Sequence, residues 1–114
     1  MDLIANNFSH YHAHIYFDAQ SENTASSLRE RVENELKMPV GRFHTKLVGP
    51  HTKWSFMVAF NQDQFDTFTR WLAENRQGLS ILIHADTGDD YVDHTDHVSW
   101  LGSPIDIDLS KFKR

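Results

Sequence analysis

Residues 10–17 constrain the fold more than any other stretch of the sequence. In this stretch histidines alternate with apolar residues, in the order His-Tyr-His-Ala-His-Ile-Tyr-Phe. Side chains of a β-strand point to opposite faces in turn, so this stretch predicts a strand with two different faces. One face is apolar and belongs to a hydrophobic core. The other face carries three imidazoles and a phenol, from His10, His12, His14 and Tyr16. Five further histidines follow downstream, at His44, His51, His84, His94 and His97.

Length and composition narrow the class of protein. A chain of 114 residues is long enough for one hydrophobic core. The net charge of −5 leaves no basic stripe for the phosphates of nucleic acid or an anionic membrane, so neither is expected as a partner. The absence of cysteine excludes disulfides and thiolate ligands, which leaves nitrogen and oxygen ligands for any metal. The sequence shows no membrane span and no signal-peptide pattern, and we therefore expect a cytoplasmic protein.

Two amphipathic helices are predicted from residues at helical spacing. In the first, apolar residues recur from Ala25 to Leu36; Ser21 is its candidate N-cap and Pro39 ends it. The second contains Phe65, Phe68 and Leu72. It follows a capping box formed by Asn61 and Gln64 and ends before Gly78.

Strands are predicted at residues 10–17, 40–48, 54–60 and 79–84. With the helices, they give the order βαββαβ, which predicts an α+β ferredoxin-like sandwich with one antiparallel sheet and two helices on one face. We expect a single domain over residues 1–114, with a loose leader at 1–9, the ferredoxin-like core at 10–84 and an irregular tail at 85–114.

The predicted topology brings distant histidines together. The spatial strand order would be four, one, three, two, with strand four antiparallel and strand three parallel to strand one. His84 and the turn that contains His51 would then lie at the end of the sheet where His12 lies. Three imidazoles with an open coordination position make a catalytic metal site.

Simpler interpretations remain open for individual residues. His10 and His97 are expected to be structural or surface residues, and His94 could cap a turn. Arg42 and Lys46 could be solvated charges that protect a sheet edge. The acidic stretch at residues 86–96 is expected to be a solvated loop, although an aspartate there could supply one ligand: Asp86, Asp89 or Asp93.

Several motifs, in order along the chain, resemble the DOPA 4,5-dioxygenase family. They are His12-Ala13-His14-Ile15-Tyr16-Phe17, Gly41-Arg42-Phe43-His44, Val48-Gly49-Pro50-His51, Trp71-Leu72, His84-Ala85-Asp86-Thr87-Gly88-Asp89, Asp93-His94-Thr95 and Trp100-Leu101-Gly102. The resemblance covers residues 10–105. The sequence departs from the family at prolines: the one usual before Val-Gly-Pro-His is missing at Lys46-Leu47, and Thr52 and Ala85 replace two others.

This resemblance implies extradiol cleavage of DOPA or a related catechol by dioxygen at a non-haem Fe(II) centre, in a homodimer. It implies His12, His51 and His84 as metal ligands, with His14 as a fourth ligand or a close neighbour. Substrate orientation and acid–base chemistry would fall to His44 and His94, and Arg42 would pair with a substrate carboxylate.

Two other functions are compatible with the same residues. One is a non-catalytic ferredoxin-like dimer that binds a metal or a small molecule, since this architecture supports many activities. The other is a zinc-dependent enzyme on the same scaffold, and zinc could also occupy the site in the purified protein. The identity of the bound metal separates these alternatives, because zinc does not change redox state.

Overall fold

One antiparallel sheet carries the histidine row. In the computed structural model, which describes residues 3–112, the sheet has the spatial order β2-β1-β3-β4. Its strands are β1 at His10–Phe17, β2 at Trp54–Asn61, β3 at Ile81–Ala85 and β4 at Val98–Leu101. The predicted α+β class, one antiparallel sheet with helices, is confirmed.

Two helices cover the apolar face of this sheet. They are α1 at Glu22–Glu35, which begins after Ser21 as predicted, and α2 at Phe65–Asn75. Their apolar stripes share one core with the odd-numbered residues of β1; the core includes Tyr11, Ala13, Ile15, Phe17, Ala25, Leu28, Val32, Phe65, Phe68 and Leu72. Within the described residues, no helix combines the length and apolar character needed to cross a bilayer.

The capping box before α2 forms as predicted. The Asn61 side chain accepts a hydrogen bond from the Gln64 backbone N–H at 3.0 Å, and the Gln64 side chain accepts one from the Asn61 N–H, also at 3.0 Å. These bonds satisfy amide donors that the start of a helix leaves unpaired. The box opens a short 3₁₀ turn, Gln62–Gln64, that leads directly into α2.

The predicted strand at residues 40–48 is wrong. The Gly41 N–H donates to the Met57 carbonyl at 2.7 Å, and His44 forms an isolated bridge with Ser55. From the first contact to the second, the segment advances by three residues, whereas β2 advances by two. The segment therefore contains one extra residue, and such a bulge interrupts a ladder of hydrogen bonds. The Phe43 ring stacks on Phe17, with 4.3 Å between ring centroids.

β2 and β3 flank β1 as the predicted order requires, but the direction of β2 and one edge of the sheet differ from the prediction. β2 runs antiparallel to β1, with His10 opposite Asn61, whereas the predicted arrangement was parallel. The sheet edge beside β3 is formed by β4, which lies in the tail expected to be irregular. Residues 40–48 do not form a strand, but Gly41 and His44 still contact β2 at that edge of the sheet, and β4 extends the opposite edge.

The segment before β1 has more contacts than a loose leader would make. Leu3, Ile4 and Phe8 pack against the core, and the Ile4 N–H donates to the Ser99 hydroxyl of β4 at 2.6 Å. Met1 and Asp2 lie outside the described residues. Residues 3–9 therefore cover one part of the core.

Candidate metal centre

Strands β1 and β3 place three imidazoles on the face of the sheet opposite the helices. His12 lies directly across from His84 in the β1–β3 register, and His14 follows on the same face. The Nε2 atoms of His14 and His84 are 2.9 Å apart, and these side chains are 9% and 2% exposed. The alternation of β1 therefore produces the histidine face that the sequence predicts.

Two loops add imidazoles to this face. The turn before β2 places the His51 ring 4.1 Å from the His14 ring, measured between centroids. The loop between β3 and β4 contains a short helix, α3, at Asp90–Asp93, and the next residue, His94, lies 4.1 Å from the His84 ring. We define the histidine cluster as His12, His14, His51, His84 and His94.

The cluster contains two sets of candidate metal ligands. Each set offers three ligand atoms that all lie within 4.8 Å of one another. The first set is His12, His14 and His84, and the second is His14, His51 and His94. His14 belongs to both sets.

Hydrogen bonds to backbone carbonyls orient two of the rings. His84 donates from Nδ1 to the Ala85 carbonyl, and His94 donates from Nδ1 to the Asp90 carbonyl, both at 2.7 Å. A carbonyl oxygen only accepts, so in each neutral ring the proton lies on Nδ1 and Nε2 carries a lone pair. In the metal-free protein the lone pair of His84 faces His14 Nε2 at 2.9 Å. Metal-binding histidines have this arrangement, in which the second nitrogen donates to a carbonyl or carboxylate.

His51 is oriented by a phenol. Its Nδ1 lies 2.7 Å from the Tyr16 hydroxyl, and both side chains are buried. Burial raises the pKa of Tyr16, so its hydroxyl keeps its proton at neutral pH. Tyr16 also stacks on Trp100 of β4, so its ring is held between the sheet and the His51 turn.

The interior of the cluster keeps its imidazoles neutral. Burial, together with neighbouring imidazoles, lowers the pKa of His51 to about 4. Burial also lowers the pKa of His84, to about 3, against the hydrogen bond to the Ala85 carbonyl, which raises it. The pKa of His14 lies well below its usual value because of burial and then the charges of the surrounding histidines. Neutral imidazole is the form that binds metals.

The donor set fits a first-row transition metal. Metal–imidazole bonds of about 2.0–2.1 Å at a right angle place two nitrogens about 2.9 Å apart. The two Nε2 atoms of His14 and His84 are separated by this distance. Imidazole donors suit Zn, Cu, Fe and Ni. Among the ion pairs within residues 3–112, one joins a carboxylate to a cluster ring. Its two atoms are Asp86 Oδ2 and His12 Nε2, which lie 3.3 Å apart.

The structure brings some of the predicted site residues together and leaves others apart. The four predicted ligands, His12, His14, His51 and His84, all lie in the cluster. His94, predicted for acid–base chemistry, lies among them as a candidate ligand. His44 belongs to neither ligand set and pairs through its backbone with Ser55, but it lies near enough to His51 to lower the pKa of that imidazole. Arg42 is exposed.

Two other histidines lie outside the cluster. His10 is exposed at the start of β1. His97 contacts the Phe8 ring at 4.5 Å between centroids, and its Nδ1 lies 3.0 Å from Asp93 Oδ1. These positions agree with the surface and structural roles expected for them.

Sequence reasoning gave no role to two residues that contact the cluster. Tyr16 stands on the histidine face of β1, and the alternation of that strand was the available signal. Phe112 lies 4.7 Å from the His94 ring, measured between centroids. Its segment is fixed by a bridge between His51 and Ile107, and no local pattern indicates that pairing.

Comparisons with known proteins bear on this site. The chain superposes with a TM-score of 0.87 on the crystal structure of a Nostoc punctiforme protein provisionally described as a dioxygenase. The two sequences are 39% identical, and the superposition covers 91% of this chain and 90% of the Nostoc chain. It is 34% identical to an uncharacterized 21.2 kDa protein of Botryotinia fuckeliana over 91% of this chain. It is 28% identical to the DOPA 4,5-dioxygenase of Amanita muscaria over 88% of this chain.

The two fungal relatives are longer proteins. The match spans 63% of the Botryotinia protein and 48% of the Amanita enzyme. A family model described as the Dopa 4,5-dioxygenase family matches residues 11–111, which include the whole histidine cluster. The resemblance drawn from the sequence motifs is confirmed, and the chain belongs to the Dopa 4,5-dioxygenase family.

Proposed function

We propose that the protein is a ring-cleaving dioxygenase that acts on DOPA or a related catechol with a histidine-bound non-haem Fe(II). The observation that carries this proposal is the convergence of five imidazoles on one face of the sheet. Family membership supports a dioxygenase rather than another metal-dependent reaction. The protein is also proposed to act in the cytoplasm and as a homodimer.

His12, His14 and His84 are the ligands we propose for the iron. All three stand on adjacent strands, and sites built on strands hold their geometry better than sites built on loops. When bound, ferrous iron would lower the pKa of the catechol hydroxyls and supply the redox chemistry that dioxygen requires.

The remaining two histidines form the second candidate ligand set with His14, so we propose that they can hold a metal in the substrate-free protein and contact the catechol when it is bound. His51 is neutral at pH 7, because burial and neighbouring imidazoles hold its pKa at about 4, so its ring can form a hydrogen bond with a catechol hydroxyl. His94 lies near both His14 and His51, with 6.1 Å between the His51 and His94 ring centroids. We assign to these two side chains the orientation of the catechol and the movement of its protons.

Two predicted substrate contacts depend on residues outside the cluster. Arg42 would bind a carboxylate such as that of the amino-acid end of DOPA, and His44 would help to orient the ring. Because Arg42 is exposed, this pairing requires a substrate that extends from the cluster towards residues 41–44. A catechol without a carboxylate would not use Arg42.

The test is oxygen uptake after anaerobic loading with Fe(II), with DOPA, caffeate and unsubstituted catechol as substrates. We expect uptake of one dioxygen per catechol and a new visible absorbance from the cleaved product. H84A should abolish both signals. H10A is the matched control, because His10 stands on the neighbouring strand β1 outside the ligand sets, and it should retain them.

Other outcomes would favour the alternative functions. Tight iron binding without oxygen uptake on any catechol would contradict the dioxygenase and favour the non-catalytic metal-binding dimer. Turnover that persists with zinc in place of iron would contradict redox chemistry and favour the zinc-dependent enzyme. Uptake by H84A equal to that of the unaltered protein would place the reaction outside the cluster.

A further inference from the structure

The loop between β3 and β4 contains a buried carboxylate next to a cluster histidine. Asp93 is 1% exposed and immediately precedes His94. Its Oδ2 accepts a hydrogen bond from the Thr87 N–H at 2.7 Å, and its Oδ1 accepts one from the Thr87 hydroxyl, also at 2.7 Å. His97 Nδ1 lies 3.0 Å from the same Oδ1. The carboxylate therefore ties the first residues of the loop to its last residues.

These bonds keep Asp93 charged although it is buried. Burial acts to raise the pKa of its carboxyl, but the hydrogen bonds from Thr87 and His97 outweigh burial and hold the pKa below its usual value. A buried carboxylate is stable only when its oxygens are satisfied in this way. Its oxygens are committed to the loop, and Asp93 belongs to neither set of candidate metal ligands.

His94 depends on this loop for its position. It follows the four-residue helix α3, and its Nδ1–H donates to the Asp90 carbonyl one turn earlier. So short a helix has little stability of its own, and external contacts must hold it in place. The hydrogen bonds to the Asp93 carboxylate are among those contacts, and Asp93 is the residue immediately before His94.

From this geometry we infer that Asp93 is a positioning residue, which holds His94 in the histidine cluster by fixing the loop between β3 and β4. The inference rests on metal binding by the ligand set that contains His94, together with His14 and His51, and is independent of ring cleavage. Asp93 acts through the backbone of the loop, whereas His94 contacts the cluster directly.

A double-mutant cycle on the full chain tests this inference, with Co²⁺ as the probe metal. We expect D93N to weaken Co²⁺ binding by about tenfold, the lower end of the effect of removing a residue that supports a metal ligand. In the H94A background, the same substitution should change the affinity less than twofold, because the residue it positions is gone. D96N, an exposed aspartate of the same loop, is the matched control and should leave the affinity unchanged.

The ring nitrogen chemical shifts of His94 in the metal-free protein provide a second readout, which does not require metal binding. In the unaltered protein we expect the tautomer with the proton on Nδ1, and in D93N a mixture of tautomers. If D93N fails to fold, T87V takes its place, because it removes the hydroxyl bond to Asp93 and keeps the charge. T87S restores a hydroxyl and should restore both the affinity and the tautomer.

An equal loss of Co²⁺ affinity in the presence and absence of His94 would overturn the inference, as would unchanged His94 shifts in both D93N and T87V. Neither measurement involves dioxygen or a catechol. A protein that showed the expected coupling but no oxygen uptake would contradict the proposed function alone.

Discussion

At the scale of single residues, His14 is the side chain on which both candidate ligand sets depend. It stands in the middle of the cluster, with its ring within 6.2 Å of those of His12, His51, His84 and His94, measured between centroids. Removal of any other cluster histidine leaves one set complete. Loss of His14 breaks both.

We therefore predict that H14A weakens Fe(II) or Co²⁺ binding by more than about 100-fold, since the loss of a supporting residue alone costs about 10–100-fold. The measurement is a competition titration against a chromogenic chelator. H10A, on the same strand, should bind as the unaltered protein does. An H14A protein with undiminished affinity would show that the metal binds elsewhere.

Tyr16 offers a second prediction at this scale, because its hydroxyl contacts His51 Nδ1 at 2.7 Å in a buried place. Y16F leaves that nitrogen without its partner, which should lower the free energy of unfolding by about 1–3 kcal/mol. Metal affinity should also fall if His51 takes part in binding. Urea denaturation and the chelator titration measure the two effects.

The control for Y16F is Y11F. Tyr11 is also buried and donates its hydroxyl proton to Asn6 at 2.8 Å, but it faces the helices. We expect Y11F to reduce stability and to leave metal affinity unchanged. Equal metal affinities for Y16F, Y11F and the unaltered protein would exclude Tyr16 from the support of the site.

At the scale of elements, the sheet separates the structural core from the metal centre. The odd-numbered residues of β1 pack against α1 and α2, and the even-numbered residues from His12 to Tyr16 contact the cluster. A change in the helix layer should therefore affect stability more than metal binding. This separation follows from the alternation of side chains along a strand.

Leu72 of α2 is fully buried and tests this separation. L72A should lower the free energy of unfolding by about 2–5 kcal/mol, because it removes buried methyl groups and leaves a cavity. The affinity for Co²⁺ should change less than threefold under conditions where the variant is folded. T67A, at an exposed position of the same helix, should stay within about 0.5 kcal/mol of the unaltered protein.

A loss of Co²⁺ affinity in folded L72A as large as that in H14A would contradict the separation of the two faces. The core and the metal centre would then be mechanically coupled through the sheet.

At the scale of the whole molecule, the buried imidazoles link stability to pH. In the folded, metal-free protein the pKa values of His14, His51 and His84 are lowered by burial and then by neighbouring groups, to about 4 for His51 and about 3 for His84. In the unfolded chain, each returns to about 6.5. Between these values the unfolded chain binds more protons than the folded protein, so the free energy of unfolding decreases as the pH falls.

We predict that the metal-free protein loses stability progressively from pH 6.5 towards pH 4. The slope should be about 1.4 kcal/mol per pH unit for each additional proton that the unfolded chain binds. Urea denaturation at a series of pH values measures this slope, and H51A should make it shallower. A free energy of unfolding that stays constant over this range would show that the three imidazoles are not buried in a neutral state.

Much of the fold is visible in local sequence patterns. The period of two in residues 10–17 identifies β1 and its histidine face, and helical spacing identifies α1 and α2. The capping box at Asn61 and Gln64 marks the approach to α2. These features depend on neighbours a few positions apart, and periodicity reports such short-range relations directly.

The position of His51 was predicted for a reason that the structure shows to be wrong. The prediction relied on a β2 parallel to β1, but the two strands are antiparallel. His51 nevertheless reaches His14. Its turn is held by the Asp108 N–H, which donates to the Pro50 carbonyl at 2.8 Å, and by the bridge between His51 and Ile107.

The sequence alone therefore determined the residues of the histidine face, the two helices and the family. Only the tertiary structure decided which segment fills the sheet edge beside β3, how β2 runs, and that His94 enters the cluster on a loop fixed by Asp93. The physical reason is that strand pairing and loop placement depend on hydrogen bonds between residues far apart in the chain. An extra residue between Gly41 and His44 interrupts the hydrogen-bond ladder with β2, and no local pattern reveals that mismatch.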